Sequence, residues 1–174
     1  MRKAIHYLII IVLAFTFGCD TTNEEKNEQQ EKTPQIPNQL PEQELQIIKV
    51  FTPEQAEIRD IVTEVIYRNL EATQAEEVDG VLETIHSESP QFKSTKTGME
   101  FVFKNYDMVY ELEYLRFLVI NSEEVQALYQ QSTKATSGVG FANTRSVGIH
   151  TLKIDIDGKW KIFSTEVISS QKLL

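Results

Sequence analysis

The chain has 174 residues, with 26 acidic and 17 basic side chains, a formal net charge of -9, 41% hydrophobic and 25% charged residues. This composition suits one globular domain with extensions. So acidic a chain, with no cluster of Lys and Arg, repels phosphate backbones, which excludes nucleic acid as an expected partner. The single cysteine, Cys19, leaves no intrachain disulfide, and the usual zinc spacings are absent. We therefore predict neither a metal nor a cofactor.

The first residues of the chain have the pattern of an export signal. Arg2 and Lys3 form a positive start, and residues 7–17 form an unbroken apolar run. That run is long enough for a signal-peptide core but short of the roughly 20 residues that a membrane-spanning helix needs. The pattern predicts a segment that addresses the bilayer without spanning it.

Gly18 and Cys19 follow this run and resemble the lipobox of bacterial lipoproteins, although Thr16 and Phe17 depart from that family's usual residues. The resemblance implies that residues 1–18 are a lipoprotein signal peptide and that the Cys19 thiol receives lipid, including palmitate-type acyl chains. It places the protein on the extracytoplasmic face of the cell membrane, held through this anchor. The alternatives are an ordinary secretory signal cut nearby and an uncleaved anchor.

Residues 19–50 are rich in Glu, Gln, Asn, Lys and Pro and nearly free of apolar side chains as far as Leu40. Such a segment buries too little surface to offset the entropy of ordering it. Three prolines, Pro34, Pro37 and Pro41, stiffen its second half. We therefore predict a flexible acidic tether here, with the folded domain at 51–170.

The strongest helical pattern begins at Thr52. Thr52, Pro53 and Gln55 form a capping box with a proline in the first turn. Apolar residues then recur at helical spacing, at Ile58, Ile61, Val62, Val65, Ile66 and Leu70. This predicts an amphipathic first helix.

Two further helix starts are predicted from Thr-x-x-Glu patterns. Thr73 with Glu76 precedes a second apolar stripe at 78–85, and Thr97 with Glu100 begins or overlaps a third at 99–106. Pro90 marks the intervening residues as a loop.

From Met108 onward, β-branched and aromatic residues alternate and predict four strands, at about 108–120, 124–135, 143–156 and 159–168. Helices followed by a meandering antiparallel sheet define an α+β class. The prediction is three N-terminal helices packed in a curved antiparallel sheet of four or more strands.

The parity of apolar residues fixes the register of the last hairpin. A three-residue loop at 156–158, with Gly158 left-handed, aligns Trp160 with Ile154 and Ile162 with Leu152. A two-residue turn would instead place Trp160 on the same face as acidic and basic side chains.

This register also makes a prediction about His150. It places His150 and Ser164 opposite each other on the face that meets the helices, and Thr165 on the other face. A buried imidazole needs a hydrogen-bond partner, and Ser164 is the predicted one.

Four features of the sequence belong together: a capped first helix, IHSESP after a short second helix, the segment YELEYLRF, and the hairpin segment TLKIDIDGKWKI. Together they resemble the nuclear transport factor 2-like superfamily, which includes the SnoaL-like proteins. The resemblance covers residues 53–167. It implies a cone in which a curved sheet wraps around helices and leaves an apolar cavity. Members include isomerases, dehydratases and cyclases as well as binding proteins, and dimerisation through the sheet is common among them.

The candidate pocket residues are aromatic, histidine and hydroxyl side chains that this fold could bring together: His150, Trp160, Ser164, Tyr106, Tyr114, Tyr129 and His86. The resemblance would allow Glu88 as a base or the two histidines as a catalytic pair. The other interpretation is structural: a helix cap for His86, a satisfied core imidazole for His150, and core packing for the aromatic residues.

The function predicted from the sequence is a membrane-anchored lipoprotein domain that binds an apolar small molecule, a peptide or an envelope protein. The alternatives are a pocket enzyme of the isomerase or lyase type and a non-catalytic scaffold that forms a homodimer.

Overall fold

Three helices precede four strands in the computed structural model, which describes residues 45–173. Residues from Leu45 onward form one compact unit. The helices are α1 (Pro53–Gln74), α2 (Val78–Glu83) and α3 (Phe92–Asn105), and the strands are β1 (Met108–Ile120), β2 (Glu124–Ala135), β3 (Thr144–Ile154) and β4 (Trp160–Lys172). The predicted signal peptide, the lipobox at Cys19 and the tether up to residue 44 lie outside the described residues.

The strands form a single antiparallel meander in the order β1-β2-β3-β4. Helices packed against such a sheet confirm the predicted α+β class. The first two strands have the predicted bounds, whereas β3 is shorter at both ends and β4 runs on to Lys172. No helix among residues 45–173 is long and apolar enough to cross a membrane.

The start of α1 is the predicted one. The Thr52 hydroxyl accepts the Gln55 amide N–H at 3.2 Å, and the Gln55 side chain accepts the Thr52 amide N–H at 3.1 Å. These two bonds satisfy amides that would otherwise lack partners at the helix start. Val62, Val65 and Ile66 of the predicted stripe are buried.

The predicted starts of the second and third helices are wrong. Thr73 lies inside α1, buried, with its hydroxyl donating to the Asn69 carbonyl, and α2 begins only at Val78. Likewise α3 begins at Phe92, so Thr97 lies inside it, five residues beyond its start. Thr-x-x-Glu also occurs in helix interiors, where a threonine hydroxyl bonds the carbonyl one turn back, so the pattern does not mark a boundary by itself.

Both edges of the sheet are covered by glutamine side chains. At the β1 edge the Gln74 amide donates to the Met108 carbonyl at 2.9 Å and accepts the Tyr110 N–H at 3.0 Å. At the β4 edge the Gln91 amide pairs with both backbone groups of Thr165, at 2.9 and 2.7 Å. Each side chain imitates a strand neighbour and blocks edge-to-edge association at that point.

The core lies between α1, the concave sheet face and the loop after α2. Its buried members are Val62, Val65, Ile66, Ile85, Phe117, Ile120, Val125, Ala127, Leu152, Trp160 and Ile162. Leu152, Val125 and Ala127 are fully buried, which places the core at the end of the sheet that holds the β3–β4 hairpin. Burial of apolar side chains on this scale is the main favourable term in folding.

Residues 45–50, which the sequence placed in the tether, contact the domain. The Ile48 amide donates to the Phe117 carbonyl at 2.8 Å, and the Ile48 side chain packs against the core. The chain is therefore fixed to the β1 edge before α1 begins.

The last hairpin has the predicted register. Ile154 pairs with Trp160 and Leu152 with Ile162, and Gly158 has a φ of 76° in a three-residue loop. Only glycine adopts this left-handed conformation without steric cost, which explains its place in the turn.

Candidate functional site

Two of the predicted pocket residues meet on the concave face of the sheet. The rings of Tyr129 on β2 and His150 on β3 stack, with centroids 4.3 Å apart and planes at 15°. The pairing of Ala127 with His150 and of Tyr129 with Gly148 places both rings on the side that faces the helices. The predicted position of His150 on this face is confirmed.

The partner of His150 is not the predicted one. Its Nδ1 lies 2.8 Å from the Thr165 hydroxyl, whereas Ser164 pairs with Thr151 and so lies on the outer face. The cause is a β-bulge, an extra residue at Phe163 that shifts the register between Thr151 and Leu152. Since side chains alternate with period two, one inserted residue exchanges the faces of everything beyond it.

His150 is partly buried, and burial lowers its pKa to about 4. The imidazole is therefore neutral near pH 7. The Nε2 of His150 has no hydrogen-bond partner among residues 45–173. Every fully buried side-chain nitrogen or oxygen in this part of the chain does have a partner, so Nε2 is not fully buried. Nε2 consequently faces accessible space and could bond a ligand or a water molecule.

Tyr129 approaches the backbone of β3 more closely than a side chain at Gly148 would allow. A Cβ at residue 148 would lie 2.6 Å from the Tyr129 hydroxyl oxygen and 2.5 Å from the Glu166 carbonyl oxygen. Burial raises the pKa of Tyr129 to about 12, so the phenol stays protonated. Gly148 thus makes room for the stacked pair.

The remaining aromatic candidates do not join this pair. Trp160 is buried in the core beside Ile162. Tyr106 ends α3 and packs against Phe141, with centroids 5.7 Å apart. Tyr114 lies on the outer face of β1, opposite Gln130. The sequence could not separate these positions because aromatic residues on strands suit either face.

His86 does not cap α2, which ends at Glu83 with Thr84 as its C-cap. Instead its amide donates to the Ile162 carbonyl at 2.9 Å, and its Nδ1 accepts the Glu88 amide N–H at 3.0 Å. His86 is buried along the β4 edge, whereas Glu88 is exposed. The described hydrogen bonds link neither residue to His150, so the predicted catalytic groups are not assembled.

Beside His86 lies a buried carboxylate that sequence reasoning did not single out. Asp155 accepts hydrogen bonds from the Ser87 hydroxyl at 2.5 Å and the Lys161 ammonium at 2.8 Å. These bonds hold its pKa far below the usual range, and the same contact raises the pKa of Lys161. A lysine that stays charged cannot serve as a base towards Ser87. The sequence signal was the DGK turn, which places Lys161 within reach of Asp155.

Among residues 45–173, two solvent-open clefts lie away from the concave face of the sheet. One, of about 280 Å³, lies between α1 and α2 and is lined by no strand residue. The other, of about 230 Å³, is lined by Ile47, Tyr114, Arg116 and Leu128. Along their strands, Arg116 and Leu128 are next to the core residues Phe117 and Ala127, and neighbouring side chains on a strand point to opposite faces. This second cleft therefore lies on the face of the sheet away from the helices. It is named the outer cleft.

In the outer cleft, Leu128 is almost fully buried, and Ile47 is 38% exposed at the rim. The Arg116 guanidinium lies 5.8 Å from the centre of the Tyr114 ring and donates one bond, of 2.9 Å, to the Leu115 carbonyl. Its other N–H groups make no bond to residues 45–173 in the described hydrogen-bond pattern. The cleft therefore combines an apolar floor with a cationic, planar donor.

No group of three or more His, Cys, Asp or Glu side chains within the described range 45–173 could hold a metal ion. The prediction of no cofactor concerns the whole chain and stays a prediction.

The three helices and the four-stranded antiparallel sheet have the fold of solved proteins described as NTF-2 like. An NTF-2 like protein of unknown function from Shewanella oneidensis superposes with a TM-score of 0.50 at 9% identity, covering 63% of this chain and 98% of that chain. A putative scytalone dehydratase from Novosphingobium aromaticivorans gives 0.54 at 8% identity, covering 71% and 93%. Bd1075 of Bdellovibrio bacteriovorus gives 0.54 at 13% identity, covering 68% and 42%.

The chain belongs to the family described as the anti-sigma-I factor RsgI9, C-terminal domain, whose model matches residues 64–173. A relative in Acetivibrio thermocellus, the anti-sigma-I factor RsgI9, is 31% identical over 72 residues, which are 41% of this chain and 10% of the relative. The match thus spans about a tenth of that protein's length.

Proposed function

We propose that this protein is a bacterial lipoprotein, anchored through Cys19 on the extracytoplasmic face of the cell membrane, whose domain is a non-catalytic binding module. Its ligand is a peptide segment of an envelope protein, held in the outer cleft. The anchor rests on the resemblance of Gly18 and Cys19 to a lipobox, and the binding role rests on the geometry of the domain.

The observation that carries the binding role is the position and size of the clefts. Pockets for small molecules generally have volumes of roughly 300–1,000 Å³. The outer cleft, at about 230 Å³, is smaller and open. It suits one or two side chains of a larger partner rather than a whole buried small molecule.

The residues of the outer cleft suggest what that partner presents. Leu128 and Ile47 offer apolar contact, and the guanidinium of Arg116 offers several donors beside the Tyr114 ring. Arginine and tyrosine are, with tryptophan, the residues enriched among those that dominate binding energy at the centre of protein interfaces. An apolar or aromatic side chain next to a carboxylate on the partner would satisfy both parts of the cleft.

The concave face argues against the alternative of a pocket enzyme. Proton transfer beside a carbonyl needs a base with a pKa near the working pH and a donor for the oxyanion. The pKa of His150 is about 4, which makes it a weak base, and Glu88 is exposed away from it. The dehydratase resemblance is at 8% identity and shows the fold alone.

The relative carries an anti-sigma-I factor name, and the family model corresponds to its C-terminal domain. We propose that this chain contacts a partner within a signalling or envelope system. The proposal does not include direct action on a sigma factor.

Photo-crosslinking in living cells tests this function. A benzophenone amino acid at position 47, on the rim of the outer cleft, should give one adduct of defined mass, and Arg116→Ala should abolish it. The same probe at Ile156, 87% exposed at the β3–β4 hairpin, is the matched control and should give none. Arg68→Ala, in the cleft between the helices, should leave the adduct intact. Equal adducts from both probe positions would refute the proposal, and an adduct of twice the chain mass would indicate a homodimer instead.

A further inference from the structure

The segment that leads into α1 forms one side of the outer cleft. It comprises residues 45–51 and is called the strap below. Two neighbouring isoleucines of the strap serve different parts of the domain. Ile48 packs against the core, whereas Ile47 lines the outer cleft with Tyr114, Arg116 and Leu128. The wall that Ile47 supplies to the cleft therefore depends on how firmly Ile48 is held.

Few contacts hold the strap to the sheet. Within residues 45–173, its one hydrogen bond runs from the Ile48 amide N–H to the Phe117 carbonyl oxygen, at 2.8 Å. The strap is not a strand of the sheet, and two of its apolar side chains, Leu45 and Val50, are 41% and 85% exposed. A segment with one hydrogen bond and little buried apolar surface opens at a low cost in free energy.

The end of the strap next to α1 is held more firmly. The Phe51 ring meets the Phe117 ring edge-on, with centroids 6.2 Å apart, and the Arg59 guanidinium lies 4.9 Å from the centre of the Phe51 ring. The capping box at Thr52 follows directly. The strap is thus fixed at Phe51 and held by a single hydrogen bond at Ile48, so residues 45–50 can leave the sheet while α1 stays in place.

We propose that the strap opens and closes independently of the rest of the domain and gates the outer cleft. With Ile48 seated, Ile47 completes the cleft; with Ile48 released, this wall is gone and Leu128 in the floor is open to solvent. A partner that binds only the completed cleft stabilises the closed strap, by its difference in affinity for the two states. Binding in the cleft is therefore coupled to the freedom of the chain that precedes the strap.

The gating rests on the outer cleft as the proposed binding site, but the opening is a property of the free protein. Hydrogen exchange of the full chain without a partner tests it. The Ile48 amide should exchange faster than the Val62 amide in the core of α1. Low concentrations of urea should speed exchange at Val62 but not at Ile48, because a local opening exposes little surface. Exchange at Ile48 that rises with urea in step with Val62 would overturn the proposal.

A matched pair of variants releases the strap or leaves it in place. Ile48→Asp puts a carboxylate against the core, which favours the open strap by about tenfold or more. Val50→Asp adds the same charge at an exposed position of the strap. Exchange at position 48 should lose its protection in Ile48→Asp and keep it in Val50→Asp, while the amides of α1 keep theirs in both. Loss of protection throughout α1 in Ile48→Asp would show that the strap does not open by itself.

A thiol in the floor of the cleft tests the gate, again without a partner. Leu128→Cys replaces a side chain that is 6% exposed. Its alkylation by iodoacetamide, located by mass spectrometry to distinguish it from Cys19, should be about tenfold faster or more with Ile48→Asp and unchanged with Val50→Asp. Equal rates in the three proteins would refute the gate.

Photo-crosslinking in cells connects the strap to binding. With the benzophenone probe at position 114, Ile48→Asp should reduce the adduct about tenfold or more, and Val50→Asp should leave it unchanged. A full yield of adduct with Ile48→Asp would overturn the gate. No adduct in any of these proteins would instead refute binding in the outer cleft, and the exchange and alkylation results would still decide whether the strap opens.

Discussion

His150 stacks face to face on Tyr129 across the β2–β3 pair, with ring centroids 4.3 Å apart. Both rings lie on the face of the sheet that carries the core residues Ala127 and Leu152. The Nδ1 of His150 is hydrogen-bonded to Thr165, and burial lowers the pKa of the imidazole to about 4, which keeps it neutral near pH 7.

His150 should make stability depend on pH. Its folded-state pKa of about 4 lies below the unfolded value of 6.5, so between these values the unfolded chain binds the extra proton. Stability therefore falls as the pH drops from 6.5 to 4, by at most about 1.4 kcal/mol per pH unit. Urea unfolding of wild type and His150→Gln across this range isolates the effect, since the variant should lack that part of the slope. Parallel pH profiles for the two proteins would contradict the burial of this imidazole.

Gly148 should tolerate no side chain. Gly148→Ala would bring a methyl group against the Tyr129 hydroxyl and the Glu166 carbonyl, so the stack must shift or β3 and β4 must separate. We expect a loss of about 1–3 kcal/mol, typical of overpacking. Gly98→Ala is the matched control, because it lies in α3 with nothing within 4 Å, and should stabilise the protein by up to about 1 kcal/mol. Thermal denaturation measures both, and a neutral Gly148→Ala would refute the close contact.

Asp155 should contribute strongly to stability through its bonds to Ser87 and Lys161. Asp155→Asn removes the buried carboxylate and leaves the Lys161 ammonium only the exposed Asp157 at 3.0 Å, and we expect a loss of about 2–3 kcal/mol in chemical denaturation at pH 7. Because the folded pKa is depressed, this contribution is present above the unfolded pKa of about 4 and is lost as the pH falls below it. Asp157→Asn, at an exposed carboxylate on the same lysine, should change little. Similar losses of unfolding free energy for Asp155→Asn and Asp157→Asn would show that burial of the Asp155–Lys161 pair does not matter.

Lipid attachment at Cys19 should be visible by metabolic labelling. Cells that make the wild type in the presence of a labelled fatty acid should incorporate it into the protein, and cells that make Cys19→Ala should not. The Cys19→Ala substitution removes no charge and leaves the chain beyond residue 19 unchanged. A change in the folding of the domain would therefore not explain a difference in labelling. Equal labelling of the two proteins would refute lipid attachment at Cys19.

The sequence predicted the fold class and the final hairpin register because these depend on local signals. Asp157-Gly158 and the alternation around Leu152 and Ile162 admit one sensible pairing, and the structure has it. The Thr52 capping box was equally local. Such features can be predicted because each is decided within a few residues.

The partner of His150 and the location of the outer cleft could not be predicted. The bulge at Phe163 has no glycine to mark it, yet it exchanges Ser164 for Thr165 on the concave face. Gln91, the N-cap of α3, bonds Thr165 of β4, which lies 74 positions further along the chain. The outer cleft needs Ile47, β1 and β2 together. These features are set by tertiary contacts, which a pattern along the chain does not contain.

The central claim is that the domain holds a protein partner outside the cone rather than a small molecule within it. Native mass spectrometry of the full protein, gently solubilised from its own membranes, tests this most directly. We expect a complex with one additional protein component, dissociated by Arg116→Ala, and no stoichiometric small molecule on the released chain. A small molecule retained by the wild type and lost on His150→Gln would contradict it and would move the functional site to the concave face.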